Sequence, residues 1–89
     1  MDKEQFVAKL RSDGFTEIET KELGPRPANE GHGHSYAVRG LVLAGAFTVI
    51  RDDKPTTFRP GEIFSVPADC AHSEEIGTEG AQIVVGRKY

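Results

Sequence analysis

The sequence predicts an all-β fold, a small barrel of short strands preceded by one N-terminal helix. Three observations support this prediction: apolar residues recur at helical spacing near the N-terminus, strand-like runs follow, and glycine and proline separate those runs. The chain has 89 residues, enough for one hydrophobic core, and no long linker divides it. We therefore expect a single domain over 1–89, with the helical segment within 1–14 and the β-barrel over 15–89.

Residues 2–12 are predicted to form the helix, because apolar residues such as Phe6 and Leu10 recur at helical spacing and charged residues occupy much of the remainder. Asp2 is suited to cap the start of this helix, since its carboxylate can accept a hydrogen bond from a first-turn amide. Gly14 is suited to end the helix in the left-handed conformation.

The remaining chain is predicted to form strands. Residues 15–23 alternate, with Phe15 on one side and Ile18 on the other, which is typical of an edge or half-buried strand. The DDKP segment at 52–55 is typical of a hairpin connection, and the Pro-Gly pair at 60–61 suits the centre of a type II turn. Six further strands are expected between such turns, near residues 34–43, 46–51, 56–59, 62–66, 72–76 and 81–86.

Charge and composition argue against several classes of protein. Lysine and arginine total 11 and aspartate and glutamate 14, which gives a net charge of −3 with no basic stripe, so we expect no nucleic-acid partner. The longest apolar stretch, 41–50, is far too short to span a bilayer, so we expect no membrane partner. The charged N-terminus is unlike a secretory signal, and the single cysteine, Cys70, cannot form an internal disulfide. Both features favour a cytoplasmic location.

The three histidines of the chain are His32, His34 and His72. Because side chains alternate along a strand, His32 and His34 are predicted to project to the same face, and His72 opens another predicted strand. Together they predict a site for a divalent transition metal, with positions left open for water or substrate. The candidate ions are Fe, Mn, Ni, Zn and Cu. The alternative is an ordinary glycine-rich loop whose histidines bind nothing.

The two histidine segments resemble the two signature motifs of the cupin superfamily. The first motif, G-x5-H-x-H-x3-4-E-x6-G, is similar to the His-Gly-His at 32–34 followed by VLAGAFTV at 42–49. The second, G-x5-P-x-G-x2-H-x3-N, is similar to GEIFSVPADCAH at 61–72. The resemblance covers roughly 24–76. It implies a small cupin barrel, a double-stranded β-helix or jelly roll, with a metal held by histidines near the barrel's mouth.

The glutamate ligand of the first cupin motif is missing from this chain. The motif spacing places Val38 or Arg39 there, and neither side chain can donate a lone pair to a metal. Glu74 could complete the ligand set or act as a proton acceptor, and a Cys70 thiolate is a further alternative that would favour zinc. The simplest option is three histidines plus waters, which resembles the iron site of the thiol dioxygenases among the cupins.

Alternation along the strand that follows His34 assigns the neighbouring side chains. Tyr36 is expected on the inner face, as a pocket wall with a hydrogen-bonding tip, and is with Glu74 a candidate catalytic residue. Arg39 is expected to point outward as a solvated strand residue. Four apolar residues are expected to serve the core: Phe47, Val49, Ile63 and Phe64.

Two classes of function follow from these patterns. The first is a small metalloenzyme, dioxygenase-like or isomerase-like, that acts on a small polar molecule. The second is a non-catalytic cupin that binds or senses a metal or a small ligand, and a weaker third is a metal-free barrel. The missing glutamate favours the last two slightly. A homodimer is expected, because a second copy would cover the edge strand 15–23.

Overall fold

Two antiparallel sheets and one helix make up the structure, a computed structural model that describes residues 1–28 and 31–89. The larger sheet has the strand order β1-β7-β2-β5 and the smaller one β4-β3-β6. This arrangement confirms the predicted all-β fold with a short N-terminal helix. The elements are α1 (Lys3–Ser12), β1 (Thr16–Leu23), β2 (Ala37–Gly45), β3 (Phe47–Arg51), β4 (Lys54–Phe58), β5 (Ile63–Val66), β6 (Ser73–Glu75) and β7 (Ala81–Lys88).

Helix α1 ends at Ser12 as predicted and begins at Lys3, one residue after the predicted start, with Asp2 as its cap. The Asp2 carboxylate accepts a hydrogen bond from the Gln5 amide at 2.8 Å, and the Asp2 amide donates to the Gln5 side chain at 3.0 Å. Such reciprocal capping contributes about 1 kcal/mol of helix stability. Gly14 has a φ of +88°, the left-handed conformation expected after a helix. No described helix is both long enough and apolar enough to cross a membrane.

The outer face of the larger sheet is the face covered by α1. Phe6 and Leu10 of the helix are buried against it, at 1% and 0% exposure. The helix supplies the apolar cover that this face needs, because a sheet is stable only when its apolar face is removed from water. The buried residues of this outer cluster are Phe6, Leu10, Phe15, Leu41 and Val84.

The inner face of the larger sheet packs against the smaller sheet. Alternate residues of the central strand β7 divide between the two faces: Val84 points toward α1, whereas Ile83 and Val85 point between the sheets. The buried residues between the sheets are Val42, Phe47, Val49, Phe64, Val66, Ile76, Ala81, Ile83 and Val85.

The predicted alternation at the start of β1 is wrong. The pairing of β1 with β7 shifts register between Thr16 and Glu19, and Glu17 adopts a φ of +51°. This β-bulge brings Phe15 and Ile18, which were predicted on opposite sides, into the same cluster under α1. The predicted edge position is confirmed, because β1 is the terminal strand of its sheet.

Both predicted turns are present. Asp52 and Asp53 connect β3 to β4 with φ angles of +51° and +61°, as a two-residue hairpin with the preferred twist requires. In the second turn the Glu62 amide donates to the Arg59 carbonyl at 2.9 Å, and Gly61 has a φ of +90°. A positive φ at that position is the mark of a type II turn.

Three of the four residues assigned to the core are buried, but the prediction for Ile63 is wrong. Phe47, Val49 and Phe64 are 2% to 4% exposed, whereas Ile63 is 45% exposed. Consecutive strand residues face opposite sides, so Phe64 takes the inward position and Ile63 must face outward. The inward Phe64 ring lies against Gly40 of β2, where any side-chain carbon would collide with it.

Candidate metal centre

His32 and His34 lie just ahead of β2 rather than on it, because the strand predicted to start at residue 34 begins at Ala37. His32 instead forms an isolated antiparallel bridge with His72. The His32 amide donates to the His72 carbonyl at 2.7 Å, and the His72 amide donates to the His32 carbonyl at 2.8 Å. Residues paired in this way face each other directly with their side chains on one side, which is why their rings meet.

Two further backbone contacts hold the histidine segment in place. Arg26 and Ile76 form a second bridge, in which each amide donates to the other residue's carbonyl, at 2.9 Å and 3.0 Å. The carbonyl of His34 accepts a hydrogen bond from the Asp69 amide at 2.7 Å. Main-chain pairing thus brings the segments around residues 26–34 and 69–76 together and fixes the positions of the histidine side chains that they carry.

The three imidazoles form one group, which we call the histidine cluster: His32, His34 and His72. Their potential ligand nitrogens all lie within 4.8 Å of one another. The ring centroids are separated by 5.0 Å between His32 and His34 and by 4.4 Å between His32 and His72. His72 is buried and the other two are half-buried. The cluster is therefore open on one side, where a ligand or substrate can approach.

The histidine cluster fits a divalent transition metal. Metal–nitrogen bonds of about 2.0–2.1 Å separate the nitrogens that share one ion by about 3.0–3.5 Å, a spacing that small ring rotations can reach. His72 Nδ1 lies 3.2 Å from the Cys70 carbonyl. In the tautomer that carries its proton on Nδ1, this contact is a hydrogen bond and the Nε2 lone pair is available to a metal. Burial lowers the pKa of His34, and the nearby His32 and His72 lower that pKa further, which favours the neutral form that binds metals.

Glu74 lies beside the histidine cluster, on the face that alternation predicted. Its Oε2 is 3.4 Å from His72 Nε2, and its Oε1 accepts a hydrogen bond from Arg26 at 2.8 Å. The carboxylate is outside the set of ligand atoms that lie within 4.8 Å of one another, and so is the Cys70 thiol. Cys70 instead packs against the apolar interior and contributes its carbonyl to the cluster.

Tyr36 lines the cavity beside the histidines, although it precedes β2 and so does not owe this position to alternation along the strand. Its ring is stacked on the His34 imidazole, with centroids 4.8 Å apart and an interplanar angle of 7°. The guanidinium of Arg87 lies over the same tyrosine ring, at 4.8 Å from the centroid. Tyr36 thereby connects the histidine cluster to a cation on β7.

Arg39 points to the outer face, as expected, but it is not simply solvated. Its guanidinium donates to the Asp13 carboxylate at 2.5 Å and lies over the Phe15 ring, at 4.5 Å from the centroid. This hydrogen bond and a second one from Lys9 lower the pKa of Asp13. Arg39 therefore connects β2 to Asp13, the residue that follows α1. It is not among the described residues that line the candidate site.

A cavity of about 330 Å³ lies beside the histidine cluster, between the sheets. Its floor is apolar and its mouth is charged. The floor is formed by Leu23, Val38, Phe47, Phe64, Val66, Ile83 and Val85. The mouth is formed by the histidine cluster with Tyr36, Lys21, Arg26, Glu74 and Arg87.

The sequence patterns did not predict that three cations would lie at the mouth of the cavity: Lys21, Arg26 and Arg87. The signal for Arg87 was present, because it continues the inward set of β7 two residues after Val85, but the predicted strand 81–86 stopped short of it. The inward position of Lys21 follows the register of β1 beyond its bulge. Arg26 lies in a proline-rich stretch, and its bridge to Ile76, just after β6, has no local sequence signal.

Comparisons with known proteins come from a family model and from solved structures. The family model described as "Cupin domain" matches residues 20–85, a range that includes both histidine segments. Among curated proteins, none matches the chain.

Three solved structures illustrate the structural similarity. A cupin-2 domain containing protein from Shewanella frigidimarina has a TM-score of 0.65 at 16% identity, over 76% of this chain and 66% of that chain. A cupin 2 conserved barrel domain protein from Salinispora arenicola has a TM-score of 0.69 at 16% identity, over 81% and 61%. The polyketide cyclase RemF from Streptomyces resistomycificus has a TM-score of 0.68 at 20% identity, over 85% and 56%.

The structural similarity covers only part of each of these proteins. The chain spans less than two thirds of the length of each of the three proteins, from 56% to 66%. At identities of 20% or lower, the similarity shows the shared fold alone. The activity of the cyclase therefore does not transfer with its fold.

Proposed function

Because this chain belongs to the cupin domain family, we propose that it is a small metal-binding cupin in which His32, His34 and His72 hold one divalent transition metal. The observation that carries the proposal is the bridge between His32 and His72, since its paired hydrogen bonds direct both side chains to one face. The nitrogens of all three rings lie within 4.8 Å of one another, which supports a shared ion.

Metal analysis of protein prepared without added metal or a metal-affinity tag tests this proposal. We expect about one transition metal per chain, and its loss in His34→Ala and His72→Ala. His34 is half-buried, so that variant keeps the test informative if the substitution at the buried His72 prevents folding. Arg59→Gln, a change on an exposed turn, is the control that should keep the metal. A folded wild-type chain that binds none of Fe, Mn, Ni, Zn or Cu would overturn the proposal.

We propose further that the site is catalytic and acts on a small polar molecule in a dioxygenase-like or isomerase-like reaction. A divalent metal supplies a Lewis acid that polarises an oxygen or sulfur atom of the substrate. Glu74 is the chain's own proton acceptor, because Arg26 holds Oε1 while Oε2 faces His72. Tyr36 orients the His34 ring by stacking on it. The apolar floor excludes water around the substrate.

A measurement of turnover distinguishes a catalytic site from a site that only binds its ligand. We expect oxygen consumption by the iron-loaded protein for at least one compound in a panel of thiols, diketones and catechols, or metal-dependent exchange of a proton next to a carbonyl. Glu74→Gln should abolish turnover while the metal content stays the same. Glu75→Gln is the matched control, because Glu75 is the next residue of β6 and is exposed on the other face. Equal activity in Glu74→Gln and wild type would remove Glu74 from the reaction.

A non-catalytic binder is the second candidate, and one observation favours it. Of the two residues that the motif spacing places at the family's glutamate position, Val38 forms part of the cavity wall, and neither it nor Arg39 can ligate. A protein of this kind would bind metal and would be stabilised by a small ligand, yet would turn nothing over. Ligand-induced stabilisation without oxygen consumption or proton exchange, across the same panel, would establish the binder.

A further inference from the structure

The mouth of the cavity carries a charge opposite to that of the whole chain. Among the described residues that line it, Lys21, Arg26 and Arg87 are cationic and Glu74 is anionic. The complete chain has a net charge of −3. Positive charges gathered at a cleft with apolar walls raise the local concentration of anions. The cavity therefore favours an anionic ligand over a neutral or cationic one.

Each of the three cations has a carboxylate neighbour, and the distance is shorter for Arg26 and Lys21 than for Arg87. Arg26 donates to Glu74 at 2.8 Å, a contact that also fixes the carboxylate beside His72. Lys21 lies 3.2 Å from Glu19, and both of these side chains are substantially exposed. An ammonium on a flexible stem offers a point charge rather than a defined geometry for a ligand.

Arg87 is the cation best placed to bind a ligand in the cavity. Its distance to the Glu17 carboxylate is 3.7 Å, and both side chains are partly solvated, so this ion pair contributes little and can give way to a competing acid. Its guanidinium also lies over the Tyr36 ring, 4.8 Å from the centroid, a contact that limits its motion. A planar guanidinium can donate two parallel hydrogen bonds to one carboxylate.

The geometry also sets the shape of the ligand. The Arg87 guanidinium lies 4.8 Å from the centroid of the Tyr36 ring, and that ring is stacked on His34 with centroids 4.8 Å apart. The guanidinium and the histidine cluster therefore lie at the same end of the cavity. Ile83 and Val85, the inward residues that precede Arg87 on β7, continue the same row into the apolar floor. The volume of about 330 Å³ is near the lower end of the range for ligand pockets, roughly 300–1,000 Å³.

We propose that the cavity takes a small organic acid, whose carboxylate binds the Arg87 guanidinium and whose apolar portion packs on Ile83 and Val85. A second polar group of that acid would face the histidine cluster. The inference deepens the proposed function, and it rests on that function for the role of the cluster. Recognition of the carboxylate by Arg87 itself requires no metal, so the two proposals can fail separately.

The test is a titration of metal-free protein with butanoate and with butanamide, at constant ionic strength. The two probes have nearly the same shape, but only butanoate is charged. We expect butanoate to shift the methyl NMR signals of Ile83 and Val85 and to raise the melting temperature, whereas butanamide should do neither. Arg87→Gln should weaken butanoate binding at least tenfold. Arg59→Gln removes the same charge from an exposed turn outside the cavity and should bind butanoate as wild type does.

Other outcomes of this titration would overturn the inference. Equal binding of butanoate and butanamide would mean that charge does not select the ligand, and unchanged binding in Arg87→Gln would mean that Arg87 does not hold it. If Arg87→Gln does not fold, Arg87→Lys is the second variant, which keeps the charge but loses the paired donors and should bind more weakly than wild type. Wild-type affinity in Arg87→Lys would count against the guanidinium. Metal content, measured on separate samples, reports on the proposed function and not on this result.

Discussion

Two arginines that lie on neighbouring strands of the larger sheet have opposite environments. Arg39 of β2 faces outward, where the Asp13 carboxylate lies 2.5 Å from its guanidinium and Phe15 lies beneath it. Arg87 of β7 faces inward, where it also covers an aromatic ring, Tyr36, but its nearest carboxylate is 3.7 Å away. The first arginine is satisfied by its own chain, whereas the second borders a cavity. The outer face of this sheet therefore serves stability, whereas the inner face carries the side chains to which we assign binding.

Substitutions in the buried cluster under α1 should lower the free energy of unfolding without changing the metal content of the histidine cluster. Leu10 of α1 is fully buried against the larger sheet, so Leu10→Ala removes apolar contacts and leaves a cavity, at a cost of about 2–5 kcal/mol of unfolding free energy. Urea unfolding measures this loss. Metal content per folded chain should remain that of wild type.

The matched control for this change is Ala8→Ser on the exposed side of α1, which should alter the unfolding free energy by less than about 0.5 kcal/mol. Loss of metal from a folded Leu10→Ala protein would show that the two faces of the sheet are coupled and would contradict their separate roles.

Substitutions on the inner face should instead change metal affinity. Tyr36→Leu removes the ring that stacks on His34, a contact of a type that contributes about 0.5–1.5 kcal/mol, so metal affinity should fall roughly twofold to tenfold. Tyr36→Phe keeps the ring and should keep the affinity. Competition with a chromophoric chelator measures both variants. Tyr36→Phe as weak as Tyr36→Leu would assign the effect to the hydroxyl rather than to stacking.

The smallest expected effect concerns the pH dependence of the outer ion pair. The hydrogen bond from Arg39 lowers the pKa of Asp13 below its ordinary value of 3.8, so the pair stabilises the folded chain above that pH. The contribution is lost as the pH falls through the lowered pKa, because the carboxyl group is then protonated in both states. Arg39→Gln should therefore be slightly less stable than wild type at neutral pH.

Urea unfolding at neutral pH and at about pH 3 measures that difference, which should shrink in acid. Arg11→Gln is the control, since Arg11 lies in the same helix as Lys9 and makes no side-chain contact with Asp13 among those the structure gives. A difference between Arg39→Gln and wild type that grows in acid would contradict the direction of the pKa shift.

Local patterns in the sequence predicted much of the fold. The apolar spacing around Phe6 and Leu10, the capping residue Asp2 and the turn at 52–53 each depend on residues close together in the chain, and these elements are confirmed. The bulge at Glu17 was not predictable in the same way. It depends on how β1 pairs with β7, which lies some seventy residues away and leaves no local signal.

The site was predictable in its residues but not in the way they are held. The sequence picked out His32, His34 and His72, and alternation on a strand was the reason for placing His32 and His34 on one face. In the structure both lie ahead of β2, and a backbone bridge between His32 and His72 brings the two segments together. The charged mouth was missed for a related reason. Arg26 reaches it through a bridge to Ile76, and Arg87 does so at the far end of a strand that was predicted too short.

The most direct test of the account is the anomalous X-ray scattering of crystals grown from tag-free protein supplied with a transition metal. The account predicts a single strong peak within about 2.0–2.3 Å of a ring nitrogen of each of His32, His34 and His72. The absence of such a peak from the cluster, with the three rings turned away from one another or the His72 ring facing solvent, would contradict it.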